Sequence, residues 1–263
     1  MTPSSKPPQK FSPVTDWIFP LAVPVLILWL WQTACDRGWF QSSYLPSPKM
    51  IGEAFFSMLA SGELWDNLKV SLARVLQGFA LGAGLGTFLG LAMGLFPRLE
   101  KSLSLLTGLL RPIPTIAWVP ALILWLGIGE GSKITVIAVG SFWPVLLSAS
   151  QGVRSVNSHY LEVAKILEKD RWTLLTRVIL PSALPSLFTG YRVGMGIAWA
   201  SVVGAELIAA SSGIGYMIMY AREVSQPDVM LVGVAAIGLT GFLIDFILLK
   251  IEKRLLKWNG GLS

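Results

Sequence analysis

Charge is scarce in this chain: Asp, Glu, Lys and Arg make up 14% of its 263 residues, against 53% hydrophobic, and the mean hydropathy is +0.63. That balance excludes an ordinary soluble domain of this length. Histidine and cysteine each occur once, as His159 and Cys35. A lone cysteine closes no internal disulfide, and one histidine excludes a zinc helix that needs two. A serine and histidine pair buried in the membrane fails too, because His159 lies in a charged segment. Gly127, Gly129, Gly131, Ser132 and Lys133 have the residue types of a phosphate loop, but the Gly-Lys-Ser/Thr order is missing. No catalytic residue and no metal site are expected.

What the chain does have is long runs without charge. Residues 17–35, 75–97, 112–129, 134–153 and 229–244 contain no Asp, Glu, Lys or Arg, and 187–208 contains only Arg192 and Glu206. A helix needs about 20 residues to cross roughly 30 Å of hydrocarbon, so six transmembrane helices are expected in an all-α, polytopic membrane protein. The net charge of +6 would suit nucleic acid, but the basic residues follow the spans instead. With the N-terminus inside, 14 of them fall in inside segments and five in outside ones, which orients both termini toward the cytoplasm. Lys6 and Lys10 before the first run, and Cys35 after it, faintly suggest a cleaved lipoprotein leader, but Gln32 is wrong for the cleavage box and a retained anchor is expected. Residues 1–15, rich in Pro, Ser and Lys, read as a mobile cytoplasmic tail, and 16–263 as one transmembrane domain.

Three local patterns stand out. Gly78, Gly82, Gly86, Gly90 and Gly94 recur at a strict interval of four, clearing one side of the second span for close helix packing. Pro112, Pro114 and Pro120 in the third span, and Pro144 in the fourth, predict bent helices that either line a path or compromise packing. Ile51, Phe55, Met58 and Leu59 follow Pro48 at helical spacing and predict a short amphipathic helix on the outer surface.

Between the fourth and fifth spans, residues 155–185 read as two short helices. Asn157 or Ser158 caps the first, with Leu161, Ala164 and Leu167 opposite Glu162, Lys165 and Lys169. Asp170 caps the second, where Trp172, Leu175 and Ile179 repeat at three and four, until Pro181 and Pro185 interrupt the pattern. A surface helix pair of this kind suits docking into a groove on a partner.

Glu162-Val-Ala164, followed by Ile179-Leu-Pro-Ser-Ala-Leu-Pro185, resembles the EAA motif of permease subunits of bacterial ABC importers. The stretches from Arg111 to Pro120, which includes Trp118, from Trp125 to Lys133, and from Ala205 to Gly215 are similar to the taurine, aliphatic sulfonate and nitrate branch. The resemblance implies a type I ABC importer permease fold in the bacterial inner membrane. It also implies a permease dimer, formed by a second, identical copy, with two ATP-binding subunits and an external solute-binding protein. ATP and Mg would be bound by the ATPase partner, and this chain would hold no cofactor. The cargo would be a small anion, most closely taurine or an aliphatic sulfonate, with nitrate or bicarbonate as the alternative. An ATP-independent channel or secondary transporter is the rival outside the family.

Carried onto this sequence, the motif puts Glu162, Ala164, Lys165, Glu168, Lys169 and Asp170 at the contact with the ATPase. Glu168 and Lys169 stand where the family usually has Gly then Ala, so a reshaped turn is expected there. Arg192, Trp199 and Glu206, seven residues apart, share roughly one side of the fifth span and, with Trp118, are candidates for the translocation path. The alternative is that Arg192 snorkels to headgroups and Glu206 caps or pairs locally, for example with Arg222. Asp245 lies near the inner end of the last span, five residues before Lys250.

Overall fold

A computed structural model describes residues 15–256, except the side chains of 15–21 and of Lys165. The expected tail thus falls outside the described residues but for Thr15. Every regular element within them is helical: α1 (Thr15–Asp36), α2 (Pro48–Ser61), α3 (Glu63–Leu95), α4 (Pro97–Leu110), α5 (Val119–Leu126), α6 (Glu130–Arg154), α7 (Ser158–Ile166), α8 (Arg171–Leu174), α9 (Leu180–Ala209), α10 (Ile214–Glu223) and α11 (Pro227–Leu255).

Four helical stretches are long and apolar enough to cross a membrane: Glu63–Leu95, Glu130–Arg154, Arg171–Ala209 and Pro227–Leu255. The 22 residues of α1 supply the length for a first crossing. The expected third span is not one rod. Helix α4 ends at Leu110, and after the break a single 3₁₀ turn, Thr115–Trp118, leads into α5 at 88° to α4. Pro112 and Pro114 fall at the break and neither offers an N–H; Arg111 still keeps helical angles, and the chain has left them by Pro114, at ψ 134°. Pro144, by contrast, sits inside an unbroken α6.

Helix α6 occupies the centre, with α3 on one side and α9 on the other. All five glycines of the four-residue series face it. A Cβ at Gly78 would lie 2.6 Å from Ile137 Cβ, at Gly86 2.7 Å from the Phe142 carbonyl oxygen, and at Gly94 2.6 Å from Val153 Cβ. Gly82 and Gly90 press on the carbonyls of Ala138 and Leu146. Gly84, off this face, has open space around it. The opposite side of α6 passes α9 as closely, Gly140 meeting Ser201 and Gly190 meeting Ser148.

Helices α2, α10 and α11 pack around Met58, Leu64, Ile214, Met217 and Val232 at one end of the bundle. Ser47 caps α2 through Met50 N–H, and Gly62, at φ 82°, turns the chain directly into α3. Met58 is buried as the amphipathic pattern requires, but Leu59 lies on the exposed side. Helix α3 therefore begins twelve residues before its charge-free run, and Arg74 falls inside it.

Candidate functional site

Three places in the bundle concentrate polar chemistry. The first is a buried ion network at the end where α3 and α6 begin and α9 stops. Arg74 is 3% exposed, and all five of its N–H donors are engaged. Its Nε and Nη2 form a fork on Glu130 at 2.6 and 2.7 Å, Nη1 reaches Glu206 Oε1 at 2.7 Å and the Ser212 carbonyl at 2.6 Å, and Nη2 also reaches Ser212 Oγ. Glu206, 1% exposed, further accepts the Ser71 hydroxyl and the Gly215 N–H. Ser71 Oγ in turn accepts the Ile214 N–H at 2.9 Å, and Asn67 accepts that of Gly213. The first N–H groups of α10 are thus capped by side chains from α3 and α9, which replace a cap from its own loop.

Lys133 donates to Glu130 at 2.9 Å, so two cations and two carboxylates balance. Buried charges persist only when paired, and Arg74, Lys133 and Glu206 are each paired, with Glu130 at the exposed edge of the network. The expectation that Glu206 caps or pairs locally, for example with Arg222, holds for the cap, since Glu206 caps α10 through the Gly215 N–H. The structure pairs it with Arg74, 132 positions away.

The second place is the contact of α9 with α11. Arg192 forks onto Asp245 at 2.9 to 3.1 Å and reaches Glu252 Oε2 at 3.3 Å. Two acids therefore surround it, and it neither snorkels alone nor presents an unpaired cation. Trp199 is buried; its indole N–H donates to the Ile237 carbonyl at 3.0 Å and its ring lies on Gly241. Arg192, Trp199 and Glu206 share one side of α9 as their spacing predicts. That side is filled by α11 along Arg192 and Trp199, and by α3 and α10 at Glu206. Trp118 instead lines an apolar cavity of about 420 Å³ with Trp125, Phe142 and Trp143. Its Nε1 is buried there without a partner.

The third place is the projecting segment after α6. Asn157 caps α7 through the His159 N–H, and Asp170 caps α8 through the N–H groups of Trp172 and Thr173. The Thr173 hydroxyl bond first, then its backbone N–H, hold the Asp170 carboxyl below the ordinary range. The bond is therefore fully present above the ordinary Asp range and is lost only as pH falls through that lowered value.

Between the two caps, Glu168 adopts φ 49° and the Lys169 N–H bonds to the Ala164 carbonyl at 3.1 Å, six residues closing on one. This is a Schellman turn with glutamate at the position where glycine is favoured. The turn that the Gly-to-Glu departure was expected to reshape is kept. Holding a side-chain residue in the left-handed region costs about 1–2 kcal/mol. Glu168→Gly is therefore expected to raise thermal stability in detergent by about 1 kcal/mol without changing assembly; an unfolding midpoint that falls would show that the Glu168 side chain itself holds the turn.

Ala164 is buried under this turn, whereas Glu162, Glu168, Lys169 and Asp170 are exposed. Also exposed are Tyr160, Val163, Ile166 (79%), Leu167 and Trp172 (71%), a set of large apolar groups with no cover from the described residues. The second short helix does not stop at Pro181. A π-helical turn, Leu175–Ile179, joins α8 to α9, and Arg171–Ala209 runs as one stretch of 39 residues. The wider turn eases the clash between the Pro181 ring and the carbonyl four residues back, whereas Pro185 is carried inside an unbroken α9.

An apolar helical bundle with a helical handle at one end and paired charges within it defines an integral membrane transport component. Residues 82–257 match the family model described as binding-protein-dependent transport system inner membrane component, and the chain belongs to that family. It is 40% identical over 92% of its length to 88% of SsuC of Bacillus subtilis strain 168, a permease protein assigned to aliphatic sulfonates transport. It is 35% identical to the taurine transport system permease protein TauC of Escherichia coli K12, covering 93% of this chain and 94% of that one. The bicarbonate transport system permease protein CmpB of Synechocystis is 32% identical over 83% and 81%. An inward-facing structure of the MetNI methionine ABC transporter shares the fold at a TM-score of 0.60 and 18% identity, covering 76% of this chain and 97% of that one. The fold is therefore that of the ABC importer permeases, and the family's role is transport.

Proposed function

We propose that this chain is the translocation subunit of an ATP-driven importer for small organosulfonate anions. It works as a homodimer with two ATP-hydrolysing subunits on the cytoplasmic side and an external solute-binding protein. The observation that carries the reading is the handle: exposed Ile166 and Trp172 lie on a segment continuous with the 39-residue span. A partner that closes around these apolar groups moves the span directly, and alternating access follows as a shift between two bundle arrangements. Glu162, Glu168, Lys169 and Asp170 surround the apolar groups and give the contact its charged rim. Lys165, on the same short helix, belongs to this contact by position. Both termini and the α7 turn lie on the cytoplasmic side, as the excess of basic residues in those segments favours.

The names of SsuC and TauC support a sulfonate as cargo. CmpB supports bicarbonate as the second reading. The test is co-expression with the cognate ATPase. Ile166→Asp with Trp172→Asp alters only exposed groups, so the permease is expected to fold while copurifying ATPase falls more than tenfold. Undiminished copurification would overturn the coupling role.

A further inference from the structure

We infer that the bundle contains its own anion station, centred on Arg111. This site rests on the importer reading for its cargo, but its chemistry is drawn from the cavity itself. Between α4, α6 and α9, in the half nearer α7, lies a cavity of about 490 Å³ to which Arg111, Ser148, Ser150 and Gln151 contribute. A second recess of about 400 Å³ adjoins it and also includes Arg111. Ser148 and Pro144 of α6 lie roughly 9–15 Å above Arg154 along the helix, which puts their level within the thickness of the hydrocarbon.

An arginine at that depth is costly unless it faces water, an acid or a ligand. Among the described residues three other arginines that face the bundle are matched, Arg74 by Glu130 and Glu206, Arg192 by Asp245 and Glu252, and Arg154 by Glu100, whereas Arg111 is exposed on the cavity wall. Arg111 has no carboxylate within ion-pair distance among those residues, so the cavity, which also holds the Glu100 and Arg154 pair, keeps one net positive charge. The side chains of Ser148, Ser150 and Gln151 make no hydrogen bond to the described residues, which leaves their donors free to point inward. Ser104 and Thr107 donate to carbonyls three residues back in α4 and still offer lone pairs to an ammonium group.

A planar guanidinium with several neutral donors suits a tetrahedral oxyanion such as a sulfonate, which it grips by two oxygens while the hydroxyls take the third. The Trp118 cavity, nearly without polar lining, has no such chemistry.

The experiment uses the whole transporter in nanodiscs with Cys35→Ser and Ser148→Cys. Sulfonatoethyl methanethiosulfonate, an anion, is compared with its trimethylammonioethyl counterpart, each rate normalised to a free thiol. The anionic reagent is expected to react at least tenfold faster, Arg111→Gln to abolish that preference, and Arg111→Lys to restore part of it. Equal rates for the two reagents with Arg111 intact would overturn the station. Uptake of radiolabelled taurine into proteoliposomes with ATP inside, by transporter that keeps Ser148, supplies the second readout. With the ATPase still bound, Arg111→Gln should lower uptake at least tenfold, and uptake within twofold of the parent would also overturn the proposal. Anionic preference in the Ser148→Cys reporter, with no ATP-driven taurine uptake by the transporter that keeps Ser148, would instead sink the sulfonate-importer reading and leave the anion site standing.

Discussion

Replacing Glu206 with alanine is expected to destabilise the protein by about 3–5 kcal/mol, because it strips one partner from a buried ion pair and leaves the other charge in place. The losses can be named. Arg74 Nη1, the Ser71 hydroxyl and the Gly215 N–H would each lose an acceptor in a site that is 1% exposed. Glu206→Gln keeps the shape and one carbonyl acceptor, so it should cost less than the alanine change. Arg74→Met combined with Glu206→Ala should cost less than the sum of the single changes, since no charge is then stranded. Thermal unfolding in detergent measures the parent, the three single variants and the double variant, and strict additivity would mean the two side chains do not act as a pair. Hydrogen exchange gives a local readout: amides of α10, residues 214–223, should lose protection in Glu206→Ala before the rest of the bundle does.

A second large effect is expected on the face of α3 that meets α6. Gly86→Leu drives a side chain into the Phe142 carbonyl, where a Cβ alone would come within 2.7 Å. Backbone, not a flexible side-chain tip, is in the way, so the helices must separate. Overpacking costs typically 1–3 kcal/mol and more when backbone must move, so Gly86→Ala should fall in that range and Gly86→Leu at or beyond its upper end. Gly84 is the internal control. It sits two residues away with nothing within reach of an added Cβ, so Gly84→Ala should leave stability unchanged or raise it by up to about 1 kcal/mol. If the two alanine variants melt alike, the four-residue series carries no packing role.

The contrast between these two regions explains what the sequence discloses. The glycine series is legible because its information is one-dimensional: a period of four residues is a side of a helix, whatever that side touches. Charge-free runs announce spans for the same reason. The ion network is written across the fold. Arg74 sits at the edge of one apolar run and Glu206 inside another, 132 positions apart, and only the packing of α3 against α9 brings them together. Their opposite signs at the membrane were a usable signal, as were Arg192 and Asp245 near the same end of their spans. Local pairing with Arg222 competed only because it was close in number.

The bend between α4 and α5 was half legible. Three prolines announced distortion, but the angle of 88° follows from what the following 3₁₀ turn packs against. The turn at Glu168 reversed the ordinary inference from residue type: with the Lys169 N–H closed onto the Ala164 carbonyl, Glu168 takes the positive φ that glycine would adopt freely.

The unbroken run from Arg171 to Ala209 turns the fifth span into a lever. Its 39 residues extend roughly 58 Å, so a tilt on the order of 5° about one end displaces the other by about 5 Å. Helix α11, tied on through Arg192, Asp245 and Glu252, must swing with it. On the proposed coupling role, a small stroke at Trp172 would reach the far rim where Glu206 pins α10.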